Sequence, residues 1–326
     1  MPLITKVLAL IAIVFIAYVG ITALSSSDIF RPPADSYPHI IYDESDNTIA
    51  TITSTFPFKD YNPKITVSPS VSVYKGAQDP ESKKSYIYSG VSDEEWSKQY
   101  YLSFIQDQSQ IPLYQELTTI FQNIQKQYSL DSDEYVELIV TYVQSLDYLT
   151  LNQYPEPKYP IETVIEKRGD CDDKSLLLAA LLAYNGYDVA LLDFEKENHM
   201  AIGILCHSPY VYPGTSKYGY IETTDYRYIT EVPDDIYTIP NIIPVKIFSA
   251  DQNEKGYSAG NQVAKILQTY ESASKRISHM ELDRNHGIDS YNQDVETYNR
   301  AVTIHNLIIS EPWNREYVYK QTFKYY

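Results

Sequence analysis

The run Lys167-Arg168-Gly169-Asp170-Cys171-Asp172-Asp173-Lys174-Ser175, continued by Leu176-Leu177-Leu178-Ala179-Ala180-Leu181-Leu182, decides how the rest of the chain is read. Gly169 and Asp170 signal a turn, and Asp170 is a good N-cap. The apolar stretch behind them reads as a helix that stops at Asn185-Gly186. Cys171 therefore falls in the first helical turn. There a thiol meets the positive end of the helix dipole and backbone N–H groups without intrahelical partners, which favours the thiolate. Asp170, Asp172 and Asp173 support this helix start by capping it, and as anions they partly oppose the dipole. A cysteine in this position still needs a base and a group to orient the base.

Two β-rich segments follow the helix, Asp188 to Phe194 and His199 to Leu205, joined by the charged turn Glu195-Lys196-Glu197-Asn198. His199 opens the second, and the small residues Ala201 and Gly203 behind it let a neighbouring backbone approach closely. A third strand, Tyr218 to Glu222, ends in Glu222-Thr223-Thr224. If these strands are neighbours, Cys171, His199 and Glu222 converge from three elements. His207, His279, His286 and His305 carry no catalytic expectation.

The motifs GDCDDKSLLLAALL, HMAIG and YIETT, in that order, resemble the transglutaminase-like superfamily, in its branch with a papain-type fold and a Cys-His-Asp/Glu triad. The membrane-anchored prokaryotic and archaeal members are the most similar. The helical stretch Val143 to Tyr148 and the segment Tyr159 to Thr163 also fit them, so that the likeness covers roughly residues 92–245. The resemblance implies an α+β fold, a helical lobe packed on an antiparallel sheet, with Cys171 as nucleophile, His199 as base and Glu222 as orienter. Glu222 departs from the aspartate more usual there, but a glutamate holds an imidazole with one more methylene of reach. Asp225 is the fallback. For the oxyanion, the Cys171 N–H is one expected donor and Gln144 a second candidate, with a solvated helix-surface glutamine as the alternative for Gln144. Such a site needs no cofactor. The implied chemistry is attack on an amide of a protein or peptide substrate to give an acyl-enzyme, completed by water. Transfer to an amine, as in a protein-glutamine acyltransferase, is the alternative within this class. A non-catalytic surface binding module that keeps the fold is the alternative outside it.

A length of 326 residues accommodates one such domain with extensions. The net charge of −17, with no clustered Lys and Arg, excludes a phosphate-backbone partner. With two cysteines, Cys171 and Cys206, the chain is not a disulfide scaffold and has no zinc-ligand spacing. Cys206 reads as a buried strand-end residue; a Cys171–Cys206 disulfide is the alternative and would quench the nucleophile. No P-loop, dinucleotide fingerprint or HExxH motif occurs.

Residues 1–26 read as a transmembrane anchor. The apolar run Val7 to Leu24 just spans a hydrocarbon core of about 30 Å, and Lys6 on the short flank places the main domain outside the cell. The competing reading is a signal peptide cleaved near Ala23-Leu24-Ser25. Residues 27–91 read as a linker and a small β-rich unit, with a hairpin from 39–42 and 48–55 and a further β run over 64–74. Helices are expected from a Ser92 capping box to about Asp107, from Pro112 to Tyr128 and from Asp133 to Leu146. In residues 246–326 a heptad-like stripe runs from Val263 to Met280 and again from Ile288 to Ile309. It predicts a helical hairpin turning at Asn285-His286-Gly287, or one long helix with a stutter. The stripe is there for packing within the chain, or else for a helical partner or self-association.

Overall fold

The computed structural model describes residues 34–149, 156–207, 209–246, 255–279 and 288–325. The apolar run at 7–24 and the expected turn at 285–287 lie outside them. Among the described residues no helix is long and apolar enough to cross a membrane.

The amino-terminal unit is only partly the expected one. Strand β1 (Ile52–Thr55) pairs antiparallel with β2 (Lys64–Val67), Ile52 opposite Val67. Residues 39–42 do not join them: the His39 N–H donates to the Ser82 carbonyl (2.9 Å) and the Ile40 N–H to the Asp107 carboxylate (2.7 Å). The expected β stretch Val71-Ser72-Val73 opens a helix, α1 (Val71–Gln78), instead of prolonging a strand. Ser70 decides this, because its hydroxyl accepts from the Val73 N–H (3.3 Å) and caps the first turn.

The helical lobe follows. Ser92 caps α2 (Asp93–Gln106) through the Glu95 N–H. After α3 (Ile111–Tyr128), a reciprocal Asp131/Glu134 capping box starts α4 (Ser132–Gln144). The short β3 (Asp147–Tyr148) leads on to α5 (Pro160–Glu166), β4 (Arg168–Gly169) and α6 (Cys171–Tyr184). Strands β3 and β4 pair in parallel, Tyr148 opposite Gly169. Residues Leu176 to Leu182 of α6 are fully buried, so this helix is apolar all round and forms the centre of the core.

Against α6 lies a four-stranded antiparallel sheet of β5 (Val189–Phe194), β6 (His199–Leu205), β7 (Tyr218–Ile221) and β8 (Asn241–Val245), in the order β7-β6-β5-β8. Strand β8 tolerates Pro244 because it is an edge strand. The two-residue alternation is clean. Val189, Leu191, Ile202, Ile204 and Ile221 join the core of α6, while Leu192, Phe194, Ala201 and Tyr220 form a second cluster with Tyr212 and Ile236. The whole is a mixed α and β architecture with small antiparallel sheets.

Three helices complete the described chain: α7 (Gly260–His279), α8 (Ile288–Ser310) and α9 (Arg315–Tyr325). Helices α7 and α8 are separate and lie side by side, with the Tyr270 ring stacked on His305 at 4.8 Å, so a single long helix is not formed. The stripe of α7 is buried within the chain through Val263, Ile266 and Ala273, whereas the buried face of α8 is Ala301, Ile304 and Ile308, displaced from the expected Val302 and Ile309, the second of which is exposed. The third helix was not anticipated. It packs on both others and pairs Arg315 with Glu137 of α4. The Tyr228 hydroxyl donates to the Ile308 carbonyl (3.1 Å), tying α8 to the loop after β7.

Candidate active site

Cys171 is the first residue of α6, and several contacts fix where that helix begins. The Asp170 carboxylate accepts from the Asp173 N–H (3.2 Å), and the Asp173 carboxylate accepts from the Asp170 N–H (3.3 Å). Asp173 also accepts from the Lys158 N–H at 2.6 Å, which moors the segment before α5. Only glycine fits at 169, since a Cβ there would stand 2.6 Å from the Cβ of Asp173. One turn into α6, Lys174 is fully buried, and its ammonium donates to the Gln144 (3.2 Å) and Leu146 (2.8 Å) carbonyls. It caps the end of α4 and locks that helix to α6. Burial brings the Lys174 pKa down to about 8, against the opposing pull of Glu222 and two aspartates.

His199 opens β6 opposite Phe194. The β6–β7 register carried one step past Ile221 puts Glu222 across from Ala201, a diagonal neighbour of His199 on the same face, within reach of a long carboxylate side chain. The result is a 3.1 Å contact between His199 Nε2 and Glu222 Oε2. Glu222 is 2% exposed and every direction of its carboxylate is used. Oε2 also accepts from the Tyr220 hydroxyl (2.7 Å); Oε1 accepts from the Thr223 N–H (2.9 Å), the Thr224 N–H (2.9 Å) and the Thr224 hydroxyl (2.7 Å). Burial alone would raise its pKa, but the imidazole and these donors prevail and hold it at about 2. His199 shows the mirror case. Burial would lower its pKa, but the Cys171 thiol and the Glu222 carboxylate together push it up to about 10. With Nε2 on the carboxylate, Nδ1 is the ring nitrogen left for the sulfur.

Cys171 and His199 open onto one cleft of about 950 Å³, while Glu222 sits behind the histidine, out of the cleft. Cys171 is partly exposed and Cys206 is buried; both are free thiols, so the alternative of a disulfide between them is not realised. The Asp170, Asp172 and Asp173 carboxylates lie within 4.8 Å of one another, a spacing that suits a metal ion. Capping bonds already occupy oxygens of Asp170 and Asp173. Burial and mutual repulsion push the pKa of Asp172 and of Asp173 up, so this helix start carries less negative charge than three aspartates suggest.

Gln144 is neither a solvated surface residue nor a lining residue of the cleft. It is buried, and its side-chain nitrogen donates to the Glu222 (2.9 Å) and Arg227 (3.1 Å) carbonyls. Those bonds use both of its N–H donors and hold the end of β7 against α4, which leaves neither for an oxyanion. The Cys171 N–H, first in the helix, has no intrahelical acceptor and is a donor suited to that role. Asp225 is turned to the Tyr226 N–H (2.8 Å), away from the orienting position. Tyr220 escaped the sequence reading. The signal was its place two residues before Glu222, on the same strand face.

Comparison with family models, with curated proteins and with solved structures gives no match, so geometry and residue chemistry carry the functional reading.

The His199–Glu222 pair has a signature in stability. The His199 pKa is raised from 6.5 to about 10, so its contribution is complete below about pH 6.5 and is lost as pH rises through about 10. The Glu222 pKa is lowered from 4.5 to about 2, so its contribution is complete above about pH 4.5 and is lost as pH falls through about 2. Thermal melts should therefore show the wild type losing stability relative to His199→Gln between pH 6.5 and 10. Parallel curves for the two proteins would show that the ion pair is absent in solution.

Proposed function

We propose that this protein is a cysteine enzyme of papain-type, transglutaminase-like fold that cleaves amide bonds in protein or peptide substrates through an acyl-enzyme. One observation carries the reading: a partly exposed thiol at a helix N-terminus shares an open cleft with an imidazole whose far nitrogen is held by a buried carboxylate. In this reading the Cys171 thiolate attacks the amide carbonyl, and the Cys171 N–H faces the oxyanion. The C–N bond breaks as the His199 Nδ1 proton passes to the leaving nitrogen. Water, deprotonated by the same imidazole, then opens the thioester and releases the acid. Glu222 keeps the ring oriented and balances its charge throughout. The apolar run at 7–24 is the membrane anchor, with the catalytic domain on the outer side.

Iodoacetamide should label Cys171 and spare the buried Cys206. His199→Ala should slow the labelling by about tenfold or more, because thiolate formation depends on the imidazole. Incubation with peptides, read by mass spectrometry with and without an added primary amine, distinguishes addition of water from addition of the amine. Equal labelling rates in both proteins would remove the thiol–imidazole pair and with it the enzyme.

A further inference from the structure

The cleft over Cys171 has a charge pattern that acyl chemistry does not require. Seven of its lining residues are Asp or Glu and none is Lys or Arg. At the chain's own ratio of 26 basic to 43 acidic residues, seven carboxylates would bring about four cations with them. Elsewhere several sheltered acids are paired with cations: Glu134 with Lys59, Glu137 with Arg315, Glu162 with Lys83, and Asp188 with Lys217. In the cleft Asp93 and Glu94 from the first turn of α2, Glu156, and Asp193 and Glu195 from the end of β5 have no Lys or Arg partner among the described residues. Burial and the neighbouring Glu195 raise the pKa of Asp193, the mark of a half-buried carboxylate short of a counter-ion. The same cleft is lined by aromatic rings, Trp96 stacked on Tyr100 at 4.9 Å, with Tyr101 and Tyr148. Carboxylates around aromatic rings complement a long alkyl stem with a cationic head, since the ring faces take the methylenes and the cation together.

We propose that this cleft selects peptide segments bearing lysine or arginine, with Asp93 and Glu94 at the start of α2 and Asp193 and Glu195 at the end of β5 and just beyond it as the specificity residues. The proposal rests on the reading of Cys171 as the nucleophile facing the same cleft, but it is tested by binding, without turnover. The full chain carrying Cys171→Ala is titrated with dye-labelled peptides of one sequence. Lys and Arg are present in the first peptide and replaced by norleucine and citrulline in the second. The basic peptide should bind about tenfold or more tightly, with the gap closing as NaCl rises from ~0.05 to ~0.5 M. Asp193→Asn with Glu195→Gln should remove most of the gap, whereas Glu44→Gln with Glu271→Gln, the same charge change on exposed acids outside the cleft, should leave it. Equal binding of the two peptides, or equal loss in the two double variants, would overturn the selectivity and leave the nucleophile untouched. Selective binding together with an unreactive Cys171 would uphold the basic-peptide site and remove the catalytic reading instead.

Discussion

Glu222→Gln is expected to lower the turnover of amide substrates by about 10²–10⁴-fold, the scale on which loss of a carboxylate orienter acts in hydrolytic triads. The carboxylate accepts from His199, Tyr220, Thr223 and Thr224, and none of these contacts asks it to donate. A glutamine must turn its NH₂ either toward the two threonine N–H groups, where donor faces donor, or toward the imidazole and Tyr220, where it makes His199 Nε2 the acceptor and leaves the proton on Nδ1, the tautomer that cannot take the thiol proton. The raised His199 pKa, near 10 in the wild type, should move back down, because the buried negative charge that stabilises the imidazolium is gone. NMR titration of the His199 ring reads this directly and separates it from simple unfolding. Stability should fall by about 2–4 kcal/mol, the range for breaking a buried, hydrogen-bonded charge pair. Wild-type turnover with an unshifted His199 titration would show that Glu222 does not orient the ring.

Cys171→Ala should reduce turnover by about 10⁴-fold or more, since Cys171 is the one thiol that lines the cleft and the one nucleophile there with an imidazole to take its proton. The fold should persist. Cys171 is a small, partly exposed residue, and the contacts that start α6 come from Gly169, Asp170 and Asp173. A melting temperature within a few degrees of wild type is expected, as for surface substitutions generally. Activity surviving this change would place the chemistry elsewhere in the chain.

Much of this arrangement was legible because its signals are local. Asp170 before an unbroken apolar run, and Asn185-Gly186 after it, bound α6 at both ends, and apolar, β-rich runs on either side of the charged turn 195–198 marked β5 and β6. One feature that escaped is local, and the others are set by distant parts of the chain. Residues 71–74 alternate like a strand, and the Ser70 cap turned them into helix. Helix α9 has a polar, aromatic sequence without a clear stripe; it forms because Arg315, Val318 and Thr322 are buried against α7, α8 and Glu137. Gln144 resembled a catalytic amide in sequence, yet only the fold reveals that two carbonyls across from it, at Glu222 and Arg227, take both its hydrogens. The acids of the cleft come from residues 93–94, 156, 170–172 and 193–195, so no single stretch announces the charge they build together.

The bonds around Glu222, with the clamps made by Gln144 and Lys174, immobilise three segments from opposite parts of the domain before any ligand arrives. The entropy of assembling the catalytic geometry is therefore lost once, when the chain folds, and not again in each encounter. An inhibitor that caps the sulfur should find the histidine and its carboxylate already in register. Its affinity will then reflect its own contacts, with little reorganisation of the protein to offset them.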